Sequence, residues 1–178
     1  MFILENSITR KYWLPTQTYL YHYIRHNKWD WVGDQGVVKI TCDRDGIAYA
    51  VCDIVDGRFM PIGWVWLTKK RTWIAYEVSQ TYVLEEHRGN GYAVLLYETA
   101  LNDGVMLASG PSHTSYSMGL WAKFVREDKF NIWAQDYKHL DLTSQVIEED
   151  GVVEAISLEL YHPPHTSQDV RLIAQRKS

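Results

Sequence analysis

Cysteine is scarce in this chain: Cys42 and Cys52 are the only two in 178 residues, too few for a disulfide scaffold. Each stands in a strand-like run, ITCD and AVCD, so buried free thiols are expected rather than a bridge or a metal pair. No apolar run approaches the ~20 residues that cross a bilayer. The stretch MFILENSITRKYW also lacks the basic-then-apolar order of a secretory signal. A cytoplasmic protein, of a cell or of an infected host, with no membrane partner is the expectation. Positive charge is in short supply too: 18 Lys and Arg face 22 Asp and Glu, a formal net charge of −4. General nucleic-acid binding, which depends on clustered cations, is not expected, and the run Lys69, Lys70, Arg71 is too short to reverse that. Mild acidity suits a substrate carrying an amine, and equally suits any soluble protein.

Internal repeats, low-complexity blocks and linker-like shifts are missing as well, so residues 1–178 read as one domain. What is plentiful is apolar surface: 46% of residues are hydrophobic and 13% aromatic, enough for a packed core. Tyr19, Leu20, Tyr23, Ile24 and Asn27 recur at helical spacing after Pro15, which predicts a helix between Leu14 and Trp31, with Gly33 to Gly36 breaking it. Turn residues then separate VVKITC, IAYAVCDIV and FMPIGWVWL, an antiparallel meander. A long strand, Thr72 to Val83, leads into a glycine turn. Behind that turn Ala93, Leu96, Tyr97, Ala100 and Leu101 make one apolar helical stripe. Val105 to Ser109 predicts a short strand, and Tyr116, Leu120, Trp121, Phe124 and Val125 predict another helix capped by Ser112. FNIWAQDY and VVEAISLELY read as late strands, and VRLIAQRKS as a further strand or a docked tail. The fold class is α/β in the α+β sense: a mixed, mostly antiparallel sheet with helices on it.

The turn reads EEHRGNGYAVLLYETAL, residues 85 to 101. A helix N-terminus presents unpaired N–H groups and the positive end of the macrodipole, and Gly89 and Gly91 let an anion approach the backbone beside Arg88. The alternative is a sharp strand-to-helix turn that needs glycine and binds nothing. Two nucleotide motifs are excluded. A P-loop needs Lys and Ser or Thr where Tyr92 and Ala93 stand, and a dinucleotide fingerprint needs a small residue where Val94 stands.

The run Val83-Leu84-Glu85-Glu86-His87-Arg88-Gly89-Asn90-Gly91-Tyr92-Ala93 resembles the acyl-CoA segment of the GCN5-related N-acetyltransferases (GNAT), whose core is Arg or Gln, two residues, Gly, one residue, then Gly or Ala. The resemblance is detailed from Thr72 to about Lys129. It implies a sheet splayed at the cofactor site, with acetyl-CoA as co-substrate and no metal. Backbone groups of Arg88, Gly89, Asn90, Gly91, Tyr92 and Ala93 would cradle the pyrophosphate, and Tyr82, Val83 and Leu84 would bind the pantetheine arm. An amide near Val83 or Leu84 would meet the oxyanion. Direct attack by an amine in a ternary complex follows, on a small molecule or a protein acceptor, with a homodimer possible.

Acyl transfer needs a base and a route for the thiolate's proton. Glu77 is the first choice for the base, because it lies in an otherwise uncharged run from Trp73 to Leu84. Simple alternation puts it on one face with Ser79, Thr81 and Val83, and a half-exposed strand carboxylate without function is the other reading. The family's Tyr in the second helix is replaced by Trp121, which has no dissociable hydroxyl. Tyr116, Ser117 or water would then supply the proton, and Trp121 is expected in the core. His22 and His26 at i, i+4 lack a third metal ligand. Trp29, Trp31, Trp64 and Trp66 include candidates for an acceptor groove. The compact Trp-rich form and the LWAKF helix are similar to small acetyltransferase-like proteins of bacteriophages, which leaves a non-catalytic binding or virion-associated role as the alternative.

Overall fold

The computed structural model describes residues 15–26, 29–33, 35–42, 46–55, 57–69, 73–110, 115–136, 152–153 and 170–177. Its elements run α1 (Pro15–Arg25), β1 (Trp29–Val32), β2 (Val37–Cys42), β3 (Gly46–Val55), β4 (Arg58–Thr68), β5 (Tyr76–Val83), a 3-10 turn (Glu85–His87), α2 (Tyr92–Asn102), β6 (Leu107–Ala108), α3 (Ser115–Glu127), β7 (Phe130–Asp136), β8 (Val152–Val153) and β9 (Val170–Arg176). Among the described residues the strands make one nine-stranded sheet, ordered β1-β2-β3-β4-β5-β6-β9-β7-β8. All neighbours are antiparallel except β5 and β6, which α2 joins by a crossover.

The predicted first helix stops six residues early, at Arg25. Trp29 and Trp31 belong instead to β1, a hairpin with β2 closed by Gly33 and Gly36, both at positive φ. The Trp29 indole N–H donates to the Ile24 carbonyl at 3.0 Å, so it satisfies an acceptor that the helix end leaves without an amide. On one face of the sheet α1 lays Leu20, Tyr23 and Ile24 over Val38, Ile40, Ala48, Ala50 and Trp64. Ala48 and Ala50 are fully buried beneath it.

The other face carries α2 and α3. Leu96, Tyr97, Ala100 and Leu101 of α2 are buried, as the stripe predicts. They join Val65, Leu67, Trp121 and Phe124 in the main core. Each large side chain there contributes about 1.5–3 kcal/mol of transfer free energy. Trp121 is core, edge-on to Tyr97 at 6.1 Å. Tyr116 shares the i, i+4 spacing of Leu120 and Phe124 but is 88% exposed, because α3 begins only at Ser115 and its first turn outruns the core.

VRLIA, ambiguous in sequence, becomes β9 and is inserted between β6 and β7 with Leu172, Ile173 and Ala174 buried. Ser109 fastens it: its amide donates to the Leu172 carbonyl at 2.7 Å, and its Oγ accepts the Leu172 amide at 3.0 Å. VVEAISLELY is described only at Val152–Val153, which pair with β7. The capping Ser112 and the segment His162-Pro163-Pro164-His165 lie outside the described residues.

Behind α2, Asp103 Oδ2 accepts from Lys39 Nζ at 2.7 Å and from the Tyr49 hydroxyl at 2.5 Å, tying the helix end to β2 and β3. Partial burial alone would raise the Asp103 carboxyl, but those two hydrogen bonds and the Lys39 charge outweigh it and hold the group below the usual range. A carboxylate with a depressed folded-state pKa stabilises the fold above its unfolded pKa, and that stability fades as pH falls through the folded value. Asp103→Asn is therefore expected to lower stability by about 1 kcal/mol at pH 7, the difference shrinking as pH falls through and below the ordinary carboxylate range. Urea midpoints across that pH range check it.

Candidate functional site

The site is built by one change of partner. β5 pairs with β6 only through Tyr76↔Leu107 and Glu77↔Ala108, whereas it stays with β4 to Val83. Beyond Glu77 the side of β5 away from β4 is unpaired by β6, which leaves a strand edge, the cleft side of β5, running to the glycine turn. The Leu84 amide donates to the Ile62 carbonyl of β4 at 2.9 Å. In an antiparallel strand a residue's N–H and C=O point the same way and alternate along the chain. The backbone groups of Val83 and Thr81 therefore face the cleft, and those of Leu84 and Tyr82 face β4.

The turn closes the open end. Leu84 leads into the 3-10 turn, and the Asn90 side-chain amide donates back to the His87 carbonyl at 3.2 Å. Gly89 and Gly91 stand at φ 82° and 78°, left-handed values that disfavour other residues. A Cβ at either would meet nothing within 4 Å of the protein's own atoms, so backbone conformation, not crowding by the fold, selects glycine. Gly91 caps α2 with no side-chain hydrogen bond, and the first bond of that helix runs from the Leu95 amide to the Gly91 carbonyl. The amides of Gly91, Tyr92, Ala93 and Val94 precede it, so no turn of α2 lies ahead of them to supply an acceptor. Arg88 does not simply point outward. Its Nε donates to the Val83 carbonyl at 3.1 Å, and its guanidinium lies 5.5 Å from the Tyr82 ring, itself stacked on buried Trp64 at 5.1 Å. Tyr82 thus enters the site as a platform for Arg88.

Glu77 lies at the closed end, but simple alternation misplaces it. Trp66 pairs with Gln80 and Leu67 with Val78, so Ser79 is an extra residue, a β-bulge. Its Oγ donates to the Trp66 carbonyl at 3.0 Å. The bulge reverses the faces: Glu77 shares its side with Gln80 and Tyr82, while Thr81 and Val83 turn toward α2. Thr81 there exchanges a 2.8 Å hydrogen bond with the Tyr97 hydroxyl, whose pKa burial pushes up to about 12 even though the Thr81 bond lowers it. Glu77 Oε2 is 3.9 Å from Nε of Arg171, a β9 cation that sequence reading missed because nothing in the sequence places β9 beside β6.

No family model and no curated protein sequence matches the chain. Solved structures that resemble it include acetyltransferases. Nourseothricin acetyltransferase is 16% identical over 78% of this chain and 70% of that one, with a TM-score of 0.38. A GNAT family acetyltransferase from Elizabethkingia anophelis with acetyl-CoA bound is 16% identical over 75% of this chain and 77% of that one, at 0.37. N-acetylglutamate synthase from Neisseria gonorrhoeae, complexed with coenzyme A and N-acetyl-glutamate, is 13% identical over 92% of this chain but 33% of that one, at 0.39.

The remaining sequence candidates fall away from the cleft. His22 and His26 lie 4.5 Å apart on the exposed side of α1, and among the described residues no group of three or more His, Cys, Asp or Glu is arranged for a metal. Cys42 and Cys52 are free thiols, and burial pushes the Cys52 thiol up to about 12, far from a nucleophilic thiolate at neutral pH. Trp29, Trp31 and Phe59 make an edge-to-face cluster on the α1 side, Trp31 being exposed. Tyr116 has no described contact with β5, and Tyr116→Phe is expected to leave the rate of any acyl transfer within about twofold, as an exposed hydroxyl in water gives little. Initial rates of the two proteins compare directly. No described helix is long and apolar enough to cross a membrane.

Proposed function

We propose that this protein is a GCN5-related acyltransferase that moves an acetyl group from acetyl-CoA to an amine. The observation that carries the reading is that parallel β5 and β6 stop pairing at Glu77, so that the backbone edge of β5 beyond it runs, unpaired by β6, to a left-handed glycine turn. The pyrophosphate binds at the amides around Gly89 to Ala93, where backbone N–H groups and the helix dipole favour negative charge. Pantetheine then lies along the β5 edge as an added strand, bonded at Val83. The Leu84 amide is engaged with Ile62, so it takes no part in this. From Val83 back to Glu77 the strand spans roughly 20 Å. The thioester reaches inward, and the oxyanion donor becomes the Thr81 amide, two residues deeper than Val83.

Glu77 takes a proton from the ammonium form of the acceptor, directly or through water, and the neutral amine attacks the thioester carbonyl carbon. A C–N bond forms, and the carbonyl electrons move to oxygen, held by the Thr81 N–H. Collapse breaks the C–S bond. The nitrogen gives its surplus proton to water as the thiolate takes one from water, Glu77 returns its proton to solvent, and the amide product and CoA thiol leave. Tyr116, expected for the thiolate's proton, stands in solvent, and water serves instead. The acceptor amine belongs to a small molecule or a protein. The test is transfer from labelled acetyl-CoA to ethanolamine, spermidine and a lysine peptide. Labelled amide formed only with enzyme supports the reading, and saturable acetyl-CoA binding without any acyl transfer, to amines or to water, contradicts it in favour of a binding role.

A further inference from the structure

Arg171 of β9 is a cation placed on Glu77, and the two are 4% and 14% exposed at their side chains. An arginine is always charged, so burying it demands a compensating charge, and Glu77 Oε2, 3.9 Å from Nε, supplies one at ion-pair distance. The backbone holds it firmly. Leu172, the next residue, exchanges two hydrogen bonds with buried Ser109, and Ala108, between Glu77 and Ile173 in the register, keeps the space between the two side chains small. Arg171 shares its sheet face with Ile173, two residues on, and thus with Ala108 and Glu77.

We infer that Arg171 is a positioning residue: it anchors the Glu77 carboxylate at the closed end of the β5–β6 cleft, so that β9, the last described strand, completes the acyl-transfer site. The inference rests on the proposed function. It explains why a strand from the end of the sequence is inserted beside the cleft while β7 and β8 lie beyond it. An anchored carboxylate keeps one oxygen directed at the attacking group, and a released one loses that orientation without altering how acetyl-CoA binds at the distant turn.

The test uses two nucleophiles that need no knowledge of the acceptor. Water requires a base to attack acetyl-CoA, giving acetate and CoA thiol, whereas hydroxylamine is uncharged at neutral pH and attacks unaided, giving acetohydroxamate and CoA thiol. Wild type, Arg171→Gln and Arg171→Lys are compared by CoA release and by calorimetric binding of acetyl-CoA. The expected result for Arg171→Gln is a hydrolysis kcat about tenfold lower, with KM and acetyl-CoA affinity unchanged and hydroxylaminolysis within about threefold. Arg171→Lys, which keeps the charge and can fold where Gln does not, recovers part of the hydrolysis rate. Equal loss with both nucleophiles, or no loss, overturns the positioning role while leaving the proposed function standing. A wild-type protein that binds acetyl-CoA but does not hydrolyse it above buffer overturns the role of Glu77 and of Arg171 together. No binding at all overturns the proposed function itself.

Discussion

Gly91→Trp is expected to weaken acetyl-CoA binding by about a hundredfold or more while the protein stays folded. Two effects add. At φ 78° a side chain strains the backbone by about 1–2 kcal/mol, which tends to pull the turn out of the conformation that aims its amides. The indole then occupies the concave side where a pyrophosphate must touch those amides. The fold tolerates the change better than the site does, since a Cβ at Gly91 meets no atom within 4 Å and the turn is exposed. Thermal denaturation should show a modest loss against a large loss of affinity. Unchanged affinity in a folded variant would mean the turn is only a turn.

Glu77→Gln is expected to reduce amine acetylation by about 10²–10⁴-fold, the usual contribution of a positioned acid or base. The amide is nearly the same size and stays on the same strand, so acetyl-CoA affinity should not move. The substitution also removes the negative charge beside the buried Arg171 guanidinium, which lowers stability. Rates therefore need to be read well below the melting temperature and alongside the binding constant. Full activity in the variant would remove Glu77 from the mechanism.

Much of this architecture was legible because local rules and tertiary demands agree. The α2 stripe, the glycine turn and the β2–β4 meander are each fixed by short-range chemistry: one buried helix face, positive φ values, and turn residues between apolar runs. The Ser79 bulge was not legible. Nothing in YEVSQTYV distinguishes a regular strand from one with an extra residue, yet that residue decides which side of the sheet Glu77 faces. Tyr116 failed for a different reason: periodicity gives the direction of a helix face but not where its partner ends. Arg171 was out of reach because the position of β9 is a long-range pairing, and VRLIA, buried in its centre, has no alternation from which to read a neighbour.

The central claim is that the cleft and its turn hold acetyl-CoA, and calorimetric titration of the purified protein with acetyl-CoA, with free CoA and ATP as comparators, tests it most directly. Saturable one-to-one binding of acetyl-CoA and CoA, with much weaker binding of ATP, is the predicted result, because the pantetheine arm adds a strand edge that ATP cannot. No binding of acetyl-CoA, or binding no tighter than that of ATP, would contradict it.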